Sequence, residues 1–314
     1  MRRIPLTAVV VSLLVLACSG GAKPATSRTT TTPTRSAGGG SPFRGLGTWV
    51  GAYDYAAAYQ DPGQQPPVRP DSVDDMARLG VRTLYLQASK DDPRSPDPFV
   101  DRALVGRFLV RAHAHHLRVV AWYLPKLADL GVDERRLQAL RDFSVGGERF
   151  DGFALDIEWT QDVPDLATRN RRVVELSRRL HASAGGRPLA AIVLPPVQLE
   201  VVNPLLWPSF PWRALRASFD VWMPMAYWTL RSKESGYRDA FRYVDENVRR
   251  LRANLGSPHA VVHVVGGIAD RATRVDYEGF RNAMSSTKAI GFSVYDYNTT
   301  PSSAWPFLRE VEDG

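Results

Sequence analysis

One stretch decides the fold of this 314-residue chain: Asp151-Gly152-Phe153-Ala154-Leu155-Asp156-Ile157-Glu158. Its alternation of apolar with other side chains predicts a short buried strand. Asp156 and Glu158 are two residues apart, so they share one face of that strand and reach its end together. Because burying a carboxylate is costly, such a pair is either a salt-bridged strand end or a proton donor beside a group that tunes its pKa.

The same rhythm of apolar run, loop and helical pattern repeats along the chain from residue 43 onward. Eight strands are predicted, at residues 46–53, 81–87, 117–124, 149–159, 189–194, 219–227, 260–266 and 289–295. Buried strands that alternate with helices indicate a parallel sheet. Eight such units over about 270 residues predict an α/β fold, a single-domain (β/α)8 TIM barrel. The alternative is an open doubly wound sheet, which is weakened because no Gly-rich phosphate loop follows the first strand.

Composition and charge favour a folded protein without a nucleic-acid partner. Apolar residues make up 44% of the chain and charged residues 23%, as in ordinary globular proteins. The formal net charge is +7, and arginine pairs such as Arg171-Arg172 fall on predicted helices. We interpret these pairs as solvated helix faces, since no basic stretch is interleaved with aromatic residues. Attraction to an anionic polymer of the cell envelope stays open.

The N-terminal residues predict export. Met1-Arg2-Arg3 and the apolar run at residues 6–16 form a signal-peptide pattern that is too short to anchor stably across a bilayer. Val15-Leu16-Ala17-Cys18 resembles a bacterial lipobox, which implies cleavage after residue 17 and a lipid on Cys18. The alternative is a plain secretory signal with a chance cysteine. Cys18 is the sole cysteine of the chain, so no disulfide and no thiolate nucleophile are expected beyond it.

A segment rich in Ser, Thr, Gly and Pro follows the cysteine, and its composition predicts a flexible tether. The expected organisation is a lipoprotein signal peptide at 1–17, the lipidated Cys18 with a linker at 18–42, and the barrel at 43–314. The predicted location is the outer face of the bacterial cell membrane, reached through the lipid anchor. We expect the barrel to be a monomer.

Three segments of the chain are similar to segments of glycoside hydrolase family 18, the chitinases and their relatives. Residues 151–158 resemble the family's fourth-strand signature, Asp-Gly-x-Asp-x-Asp-x-Glu. Met225-Ala226-Tyr227 resembles its Met-x-Tyr segment, and Gly291-Phe292-Ser293-Val294-Tyr295-Asp296 resembles its last strand. These segments follow the family's order along the whole predicted barrel, and the first is the most specific of the three.

The resemblance implies a catalytic role for three residues. Glu158 would be the general acid that protonates the glycosidic oxygen, Asp156 would stabilise and orient the 2-acetamido group of the substrate, and Tyr227 would hydrogen-bond the acetamido carbonyl. In that family the acetamido oxygen is itself the nucleophile, so one carboxylic acid suffices where most glycosidases need two. This agrees with the predicted seventh strand, which ends without an Asp or Glu.

Three positions depart from the family pattern. Ala154 stands where the family has an inward Asp, Trp228 replaces an acidic or amide residue, and Tyr295 replaces a Trp that floors the sugar site. Without a carboxylate at position 154, the pKa of Asp156 is expected to be raised less. The departures indicate weaker acetamide handling, a different sugar, or no catalysis.

Aromatic and polar side chains at or just beyond the predicted strand ends are candidates for substrate binding. Sugar rings stack on aromatic faces while their hydroxyls need polar partners. The alternative for each aromatic is an ordinary core or loop anchor. The predicted substrate-binding residues are Trp49, Tyr53, Asp54, Gln87, Trp122, Trp228, Tyr295 and Asp296, and Tyr123, Trp159 and Tyr297 share their position at strand ends.

The histidines predict no metal site, and no cofactor is expected. His113, His115 and His116 lie at the end of a predicted helix without a matching carboxylate or cysteine spacing, so we interpret them as solvent-exposed helix-end residues. His263 alternates within the predicted seventh strand, which favours a hydrogen-bonded histidine of the core or barrel interior over a catalytic one.

Two functions are compatible with these patterns. The first is a cell-surface glycoside hydrolase that cleaves, by acid catalysis from Glu158 with substrate assistance, a polysaccharide or cell-wall glycan containing an N-acetylated sugar. The second is a catalytically inactive carbohydrate-binding lipoprotein on the same fold, which the three departures at the expected site favour. A Glu158 in an open cleft would favour the hydrolase, and a Glu158 plugged by the following loop would favour the inactive protein.

Overall fold

A computed structural model of the protein describes residues 41–313. The predicted signal peptide, the predicted lipid site at Cys18 and the linker up to residue 40 lie outside the described residues. Within the described range, no helix is both long and apolar enough to cross a membrane.

Eight parallel strands form a barrel, which confirms the predicted (β/α)8 fold. The strands β1 to β8 are Gly45–Val50, Thr83–Gln87, Arg118–Tyr123, Gly152–Ile157, Leu189–Val193, Val221–Pro224, His263–Ile268 and Gly291–Tyr295. Their order in the sheet is β6-β5-β4-β3-β2-β1-β8-β7. Single bridges from Trp222 to Val262 and from Met225 to Val265 join β6 to β7. The ring is therefore nearly closed, and an open doubly wound sheet is excluded.

Helices alternate with the strands on the outside of the barrel. The helices α1 to α9 are Ala52–Tyr55, Ser72–Arg78, Arg102–Ala114, Leu130–Asp142, Leu166–Ser183, Trp212–Leu215, Ala240–Leu255, Arg274–Thr287 and Trp305–Asp313. Several begin at an aspartate that caps free backbone N–H groups: the Asp165 carboxylate accepts from Thr168 N at 2.8 Å, and that of Asp239 from Arg242 N at 2.7 Å. Each such cap stabilises its helix by about 1 kcal/mol.

All eight strands are shorter than the predicted ranges, and the first and sixth each end three residues early. The first ends at Val50 because the Asp54 carboxylate accepts the backbone N–H of Gly51 at 2.6 Å and starts the helical turn α1. The sixth ends at Pro224, whose ring nitrogen cannot donate to a neighbouring strand. Met225 and Ala226 still donate their N–H groups to the carbonyl oxygens of Val193 at 3.0 Å and Val265 at 2.8 Å, so the chain leaves the sheet after them.

The alternation predicted for the fourth strand is confirmed. Phe153, Leu155 and Ile157 belong to the outer hydrophobic cluster, between strands and helices. Ala154 belongs to the inner cluster, which fills the barrel and comprises Phe43, Trp49, Tyr85, Val120, Trp122, Ala154, Ala190, Ile192, Val221, Met223, Met225 and Val265. Asp156 and Glu158 continue the inner face towards the C-terminal end of the barrel, where barrel enzymes carry their chemistry.

His263 is a hydrogen-bonded residue of the barrel interior, as predicted. Its side chain is fully buried, with Nδ1 2.9 Å from the Phe43 carbonyl oxygen and Nε2 3.0 Å from the Ser293 hydroxyl. Burial lowers the pKa of His263 to about 4, so the imidazole is neutral. An Nδ1–H that donates to the carbonyl leaves Nε2 to accept from Ser293.

The three helix-end histidines differ in their surroundings. His115 and His116 are exposed, whereas the prediction is wrong for His113. Its Nε2 lies 2.9 Å from Asp151 Oδ2 and its Nδ1 2.5 Å from Glu148 Oε2. This cluster precedes β4, at the end of the barrel opposite Glu158. Between residues 41 and 313, no group of three His, Cys, Asp or Glu side chains has the geometry to hold a metal ion.

Candidate active site

Asp156 and Glu158 lie at the C-terminal end of β4 and form a pair of carboxylates. Asp156 is only 6% exposed and Glu158 is partly exposed. Burial raises the pKa of Asp156 well above its ordinary value and the charge of Glu158 raises it further, while Lys90 opposes both effects. Burial likewise raises the pKa of Glu158, again against the charge of Lys90. The pKa of Asp156 is thus raised even though Ala154 supplies no second carboxylate.

Lys90 is a residue of this site that sequence reasoning missed. It follows β2 and is partly exposed, and its Nζ atom lies 5.4 Å from the centre of the Tyr53 ring. Its charge favours the ionised forms of both Asp156 and Glu158. Among the described residues, Lys90 has no carboxylate within ion-pair distance. The only sequence signal for it was its place just beyond the end of a strand.

Tyr227 and Tyr295 lie beside the carboxylates, with their ring centres 6.3 Å apart. Burial raises the pKa of Tyr227 well above its ordinary value, and the charges of Glu158 and Asp156 add to the effect. The pKa of Tyr295 is raised in the same way, by burial first and then by Asp296 and Asp54. Both hydroxyls therefore keep their protons at neutral pH and are available as hydrogen-bond donors.

Asp54 and Asp296 form a second pair of carboxylates on the β1 and β8 side of the same mouth. They are 7% and 6% exposed. Burial and the charge of Asp296 raise the pKa of Asp54 to about 7, against the hydrogen bonds from Gly51 and Asn298. Burial also raises the pKa of Asp296. This pair carries less negative charge at neutral pH than two free aspartates would.

Gln87 links β2 to this second pair. Its side-chain oxygen accepts the backbone N–H of Ala52 at 2.9 Å and so fixes the start of α1. A Cβ atom on Gly51 would lie 3.2 Å from Asp54 Oδ2, 3.6 Å from the Tyr295 hydroxyl and 3.8 Å from Gln87 Oε1. The polar groups of Asp54, Tyr295 and Gln87 thus converge around the bare backbone of Gly51.

Two tryptophans line the inside of the barrel below the carboxylates. Trp49 is 3% and Trp122 is 6% exposed, and their ring centres lie 5.9 Å apart with the rings edge to face. The Trp49 indole N–H donates to the Ser293 hydroxyl at 2.8 Å. The indole N–H of Trp122 has no partner among the described residues. Both rings are floor residues of the site rather than open platforms.

Tyr53 is the exposed aromatic of the rim, with 52% of its surface accessible. The ring is not bare, because the Arg94 guanidinium lies 5.3 Å and the Lys90 ammonium 5.4 Å from its centre. Arg94 also donates to the Tyr53 hydroxyl at 3.1 Å. A sugar that stacks on this ring has to share it with two cations.

The structure places Trp228 away from the predicted site. Its side chain is fully buried in the outer cluster, 5.1 Å from the centre of the Phe280 ring. Cβ atoms on Gly266 and Gly267 would lie 2.9 and 2.8 Å from the indole, so these glycines make room for it. A substrate cannot reach this ring, and its predicted role in substrate binding is corrected to packing.

Other strand-end aromatics also face away from the carboxylates. Tyr123 is fully buried and donates to Asp133 Oδ1 at 2.6 Å. The ring centre of Tyr297 lies 6.1 Å from that of Trp305.

A groove of about 940 Å³ lies outside the barrel along α3, between Arg102 and Val145, and shares no residue with the predicted site.

Comparison with known proteins gives structural matches alone: no protein-family model and no curated protein sequence matches the chain. The GH18 chitinase of Cycas revoluta in complex with (GlcNAc)4 matches with a TM-score of 0.60 at 12% identity, over 86% of this chain and 99% of that one. The spore cortex-lytic enzyme of Bacillus cereus matches with a TM-score of 0.60 at 9% identity, over 85% of this chain and 74% of that one. The β-galactosidase of Marinomonas ef1 matches with a TM-score of 0.61 at 10% identity, over 86% of this chain and 59% of that one. The chain therefore shares its barrel with glycoside hydrolases of several specificities.

Proposed function

We propose that the protein is a glycoside hydrolase that acts on a glycan with N-acetylated sugars and uses Glu158 as its general acid. The observation that carries this proposal is the pair of carboxylates, Asp156 and Glu158, at the C-terminal end of β4. Glu158 is partly exposed, as a proton donor to a bound glycan must be. The chitinase and cortex-lytic neighbours in fold support the class of reaction.

In the first step, Glu158 gives its proton to the glycosidic oxygen as the bond from that oxygen to the anomeric carbon breaks. The raised pKa of Glu158 favours the protonated form that this step requires. The carbonyl oxygen of the substrate's own acetamido group attacks the anomeric carbon and forms a cyclic cation. A carboxyl oxygen of Asp156 accepts the acetamido N–H, while the Tyr227 hydroxyl donates to the acetamido oxygen.

In the second step, the ionised Glu158 removes a proton from a water molecule as that water attacks the anomeric carbon. The ring of the cyclic cation opens, the acetamido group is restored, and Glu158 is protonated again. Because the nucleophile belongs to the substrate, no second enzymic carboxylate is needed at the reacting carbon. Asp54 and Asp296 are then left to bind sugar hydroxyls.

The experiment is a panel of chitin oligosaccharides, peptidoglycan fragments and neutral glucans, assayed for new reducing ends. We expect cleavage of an N-acetylated member, and a loss of about 10²- to 10⁴-fold in kcat for Glu158→Gln. Glu278→Gln is the matched control, since Glu278 pairs with Arg274 on the outside of α8 at 2.9 Å. Equal activity of the Glu158→Gln variant, or no cleavage by the unaltered protein, contradicts the proposal.

A catalytically inactive glycan-binding protein is the second candidate. Its support is the enclosed floor of the site, where Trp49 and Trp122 are nearly buried, and the cations over Tyr53. Isothermal titration of the same oligosaccharides separates the two candidates, because this one requires binding without turnover.

We further propose that Cys18 carries a lipid which holds the barrel at the outer face of the cell membrane, near cell-wall glycan. The support is the sequence Val15-Leu16-Ala17-Cys18 after an apolar run. Expression of the full chain in a bacterium with metabolic labelling by a fatty-acid analogue tests it. The label should enter the membrane-bound protein and be lost in Cys18→Ser, and a label that persists in that variant refutes the lipid site.

A further inference from the structure

Two of the buried polar atoms that have no hydrogen-bond partner in the described part of the chain lie on the inner face of β3 and β4. They are Asp156 Oδ1 and Trp122 Nε1, and each residue is 6% exposed. A buried donor or acceptor that stays unpaired destabilises the fold. Both atoms lie in the proposed active site, where a bound ligand is able to satisfy them.

The register of the sheet brings these two residues together around Ala154. Trp122 on β3 is the direct Cα partner of Ala154 on β4. Asp156 is two residues further along the same face of β4. Ala154 therefore lies next to Trp122 across the sheet and two residues before Asp156 on the inner face of β4.

The neighbouring Trp49 differs from Trp122, because its indole N–H has a hydrogen-bond partner. The two indoles pack edge to face in the same inner cluster. The Trp49 N–H is already used, because it donates to the Ser293 hydroxyl at 2.8 Å. An indole N–H is a donor only, so Trp122 requires an acceptor.

The depth of Trp122 restricts which acceptor is able to reach it. A ring hydroxyl of a hexose projects by one atom, whereas an acetamido group projects further and carries its carbonyl oxygen at the end of an arm. A secondary amide also offers an N–H next to that oxygen, which complements the free acceptor on Asp156. The pair of unpartnered atoms therefore fits an acetamido group better than a hydroxyl.

We propose that Trp122 is a specificity-determining residue that donates its indole N–H to the carbonyl oxygen of the substrate's acetamido group. The inference rests on the proposed function and adds to it a residue of the binding site. Trp122 takes the space next to Ala154 and supplies a neutral donor to the acetamido pocket. The interaction is made in the bound ground state, since the carbonyl oxygen gives up a lone pair when it attacks. Its loss therefore raises KM and leaves kcat unchanged or higher.

The test is binding to Glu158→Gln protein, which holds oligosaccharides without cleaving them, with and without Trp122→Phe. Isothermal titration uses N-acetylchitotetraose and, as the hydroxyl analogue, cellotetraose. We expect Trp122→Phe to weaken binding of N-acetylchitotetraose about tenfold, the value of one lost hydrogen bond, and to leave binding of cellotetraose unchanged. An equal loss for both ligands assigns the N–H to a hydroxyl and overturns the proposal.

Trp228→Phe is the matched control. It also removes a buried indole N–H without a partner, but outside the barrel interior. This variant should bind both tetrasaccharides as the parent protein does. A weakening equal to that of Trp122→Phe would show a general effect of the substitution and overturn the assignment.

A second measurement leaves Trp122 in place. The 15N-labelled indole resonances are recorded during titration with N-acetylchitotetraose, and that of Trp122 is identified by its absence in Trp122→Phe. A downfield shift of this proton is expected with N-acetylchitotetraose and not with cellotetraose. If Glu158-dependent cleavage is found while this resonance stays unmoved, the inference alone fails; if no oligosaccharide binds, both the inference and the proposed function fail.

Discussion

The Lys90 ammonium lies 5.4 Å from the centre of the Tyr53 ring and is the cation that acts on both carboxylates at the end of β4. Burial and mutual repulsion favour the neutral forms of Asp156 and Glu158, whereas Lys90 favours the ionised forms. The proposed reaction needs one proton on the pair, and Glu158 must carry it when the glycosidic oxygen is protonated. Lys90 therefore adjusts the pH range in which this state exists.

We expect Lys90→Met to move the whole pH profile of kcat/KM to higher pH. Without the cation the pKa values of both carboxylates rise, so the acidic limb, which reports ionisation of the pair, and the basic limb, which reports loss of the Glu158 proton, shift in the same direction. A shift of about one pH unit is expected. The measurement is initial rates on the preferred oligosaccharide between pH 4 and 9.

Two variants serve as controls for Lys90. Lys90→Arg keeps the charge and should restore the profile. Lys126→Met removes another partly exposed lysine, which faces Asp91 at 3.4 Å, and should leave the profile in place. A profile that does not move in Lys90→Met contradicts an electrostatic role for Lys90.

Tyr227→Phe should lower kcat/KM by about 10- to 100-fold, because the acetamido oxygen loses a donor as it attacks. The free energy of unfolding should change little, since burial leaves the Tyr227 hydroxyl protonated and the described structure gives it no hydrogen-bond partner. Tyr237→Phe is the control: its hydroxyl donates to Glu246 at 3.1 Å on the outside of the barrel, so activity should persist. Full activity of Tyr227→Phe would remove Tyr227 from the mechanism.

The architecture was readable from the sequence because the burial pattern of a barrel strand is periodic. Phe153, Leu155 and Ile157 had to face one way, and this placed Asp156 and Glu158 on the inner side. The same alternation continues past Pro224, since Met225 and Tyr227 lie with the inner cluster and Ala226 and Trp228 with the outer one. The prediction for Trp228 was wrong because it rested on the residue's place at a strand end and not on the face of the strand that it occupies.

The sequence alone brought site residues together only where they lie on one strand. Asp156 and Glu158 are neighbours in sequence, whereas Lys90 meets them through the closure of the barrel, and a single lysine in a loop carries no local signal. The partnership of Trp122 with Ala154 depends on strand register, which the sequence does not state. The sequence alone predicts a solvated helix end at His113 because its partners Glu148 and Asp151 belong to the next unit of the barrel.

We expect His113→Gln to destabilise the protein more at low pH than at high pH. The hydrogen bond to Asp151 and the nearby Glu148 raise the pKa of His113 above its ordinary value. Its contribution to stability is therefore full below the unfolded pKa of about 6.5 and is lost as the pH rises through the higher folded pKa. Urea unfolding should show a loss of about 1 to 2 kcal/mol at pH 5.5 and a smaller loss at pH 9. The exposed His259 provides the control variant His259→Gln, and an equal loss at both pH values for His113→Gln would refute the ion-pair explanation.

For Asp54 we expect the opposite pH dependence: its contribution to the stability of the unaltered protein falls as the pH rises. The folded pKa of Asp54 is about 7, raised from 3.8 by burial and Asp296, so between these values the folded state binds more protons than the unfolded chain. Stability then falls with increasing pH across this window. Asp54→Asn keeps an oxygen that accepts the Gly51 N–H but does not titrate, so it should be more stable than the unaltered protein at pH 8, by about 2 kcal/mol, and similar to it at pH 4.5.

Urea unfolding at the two pH values measures this difference, with Asp61→Asn at an exposed position as the control. A difference that does not depend on pH would show that Asp54 is ionised throughout, and the second carboxylate pair would then carry its full negative charge at the mouth of the barrel.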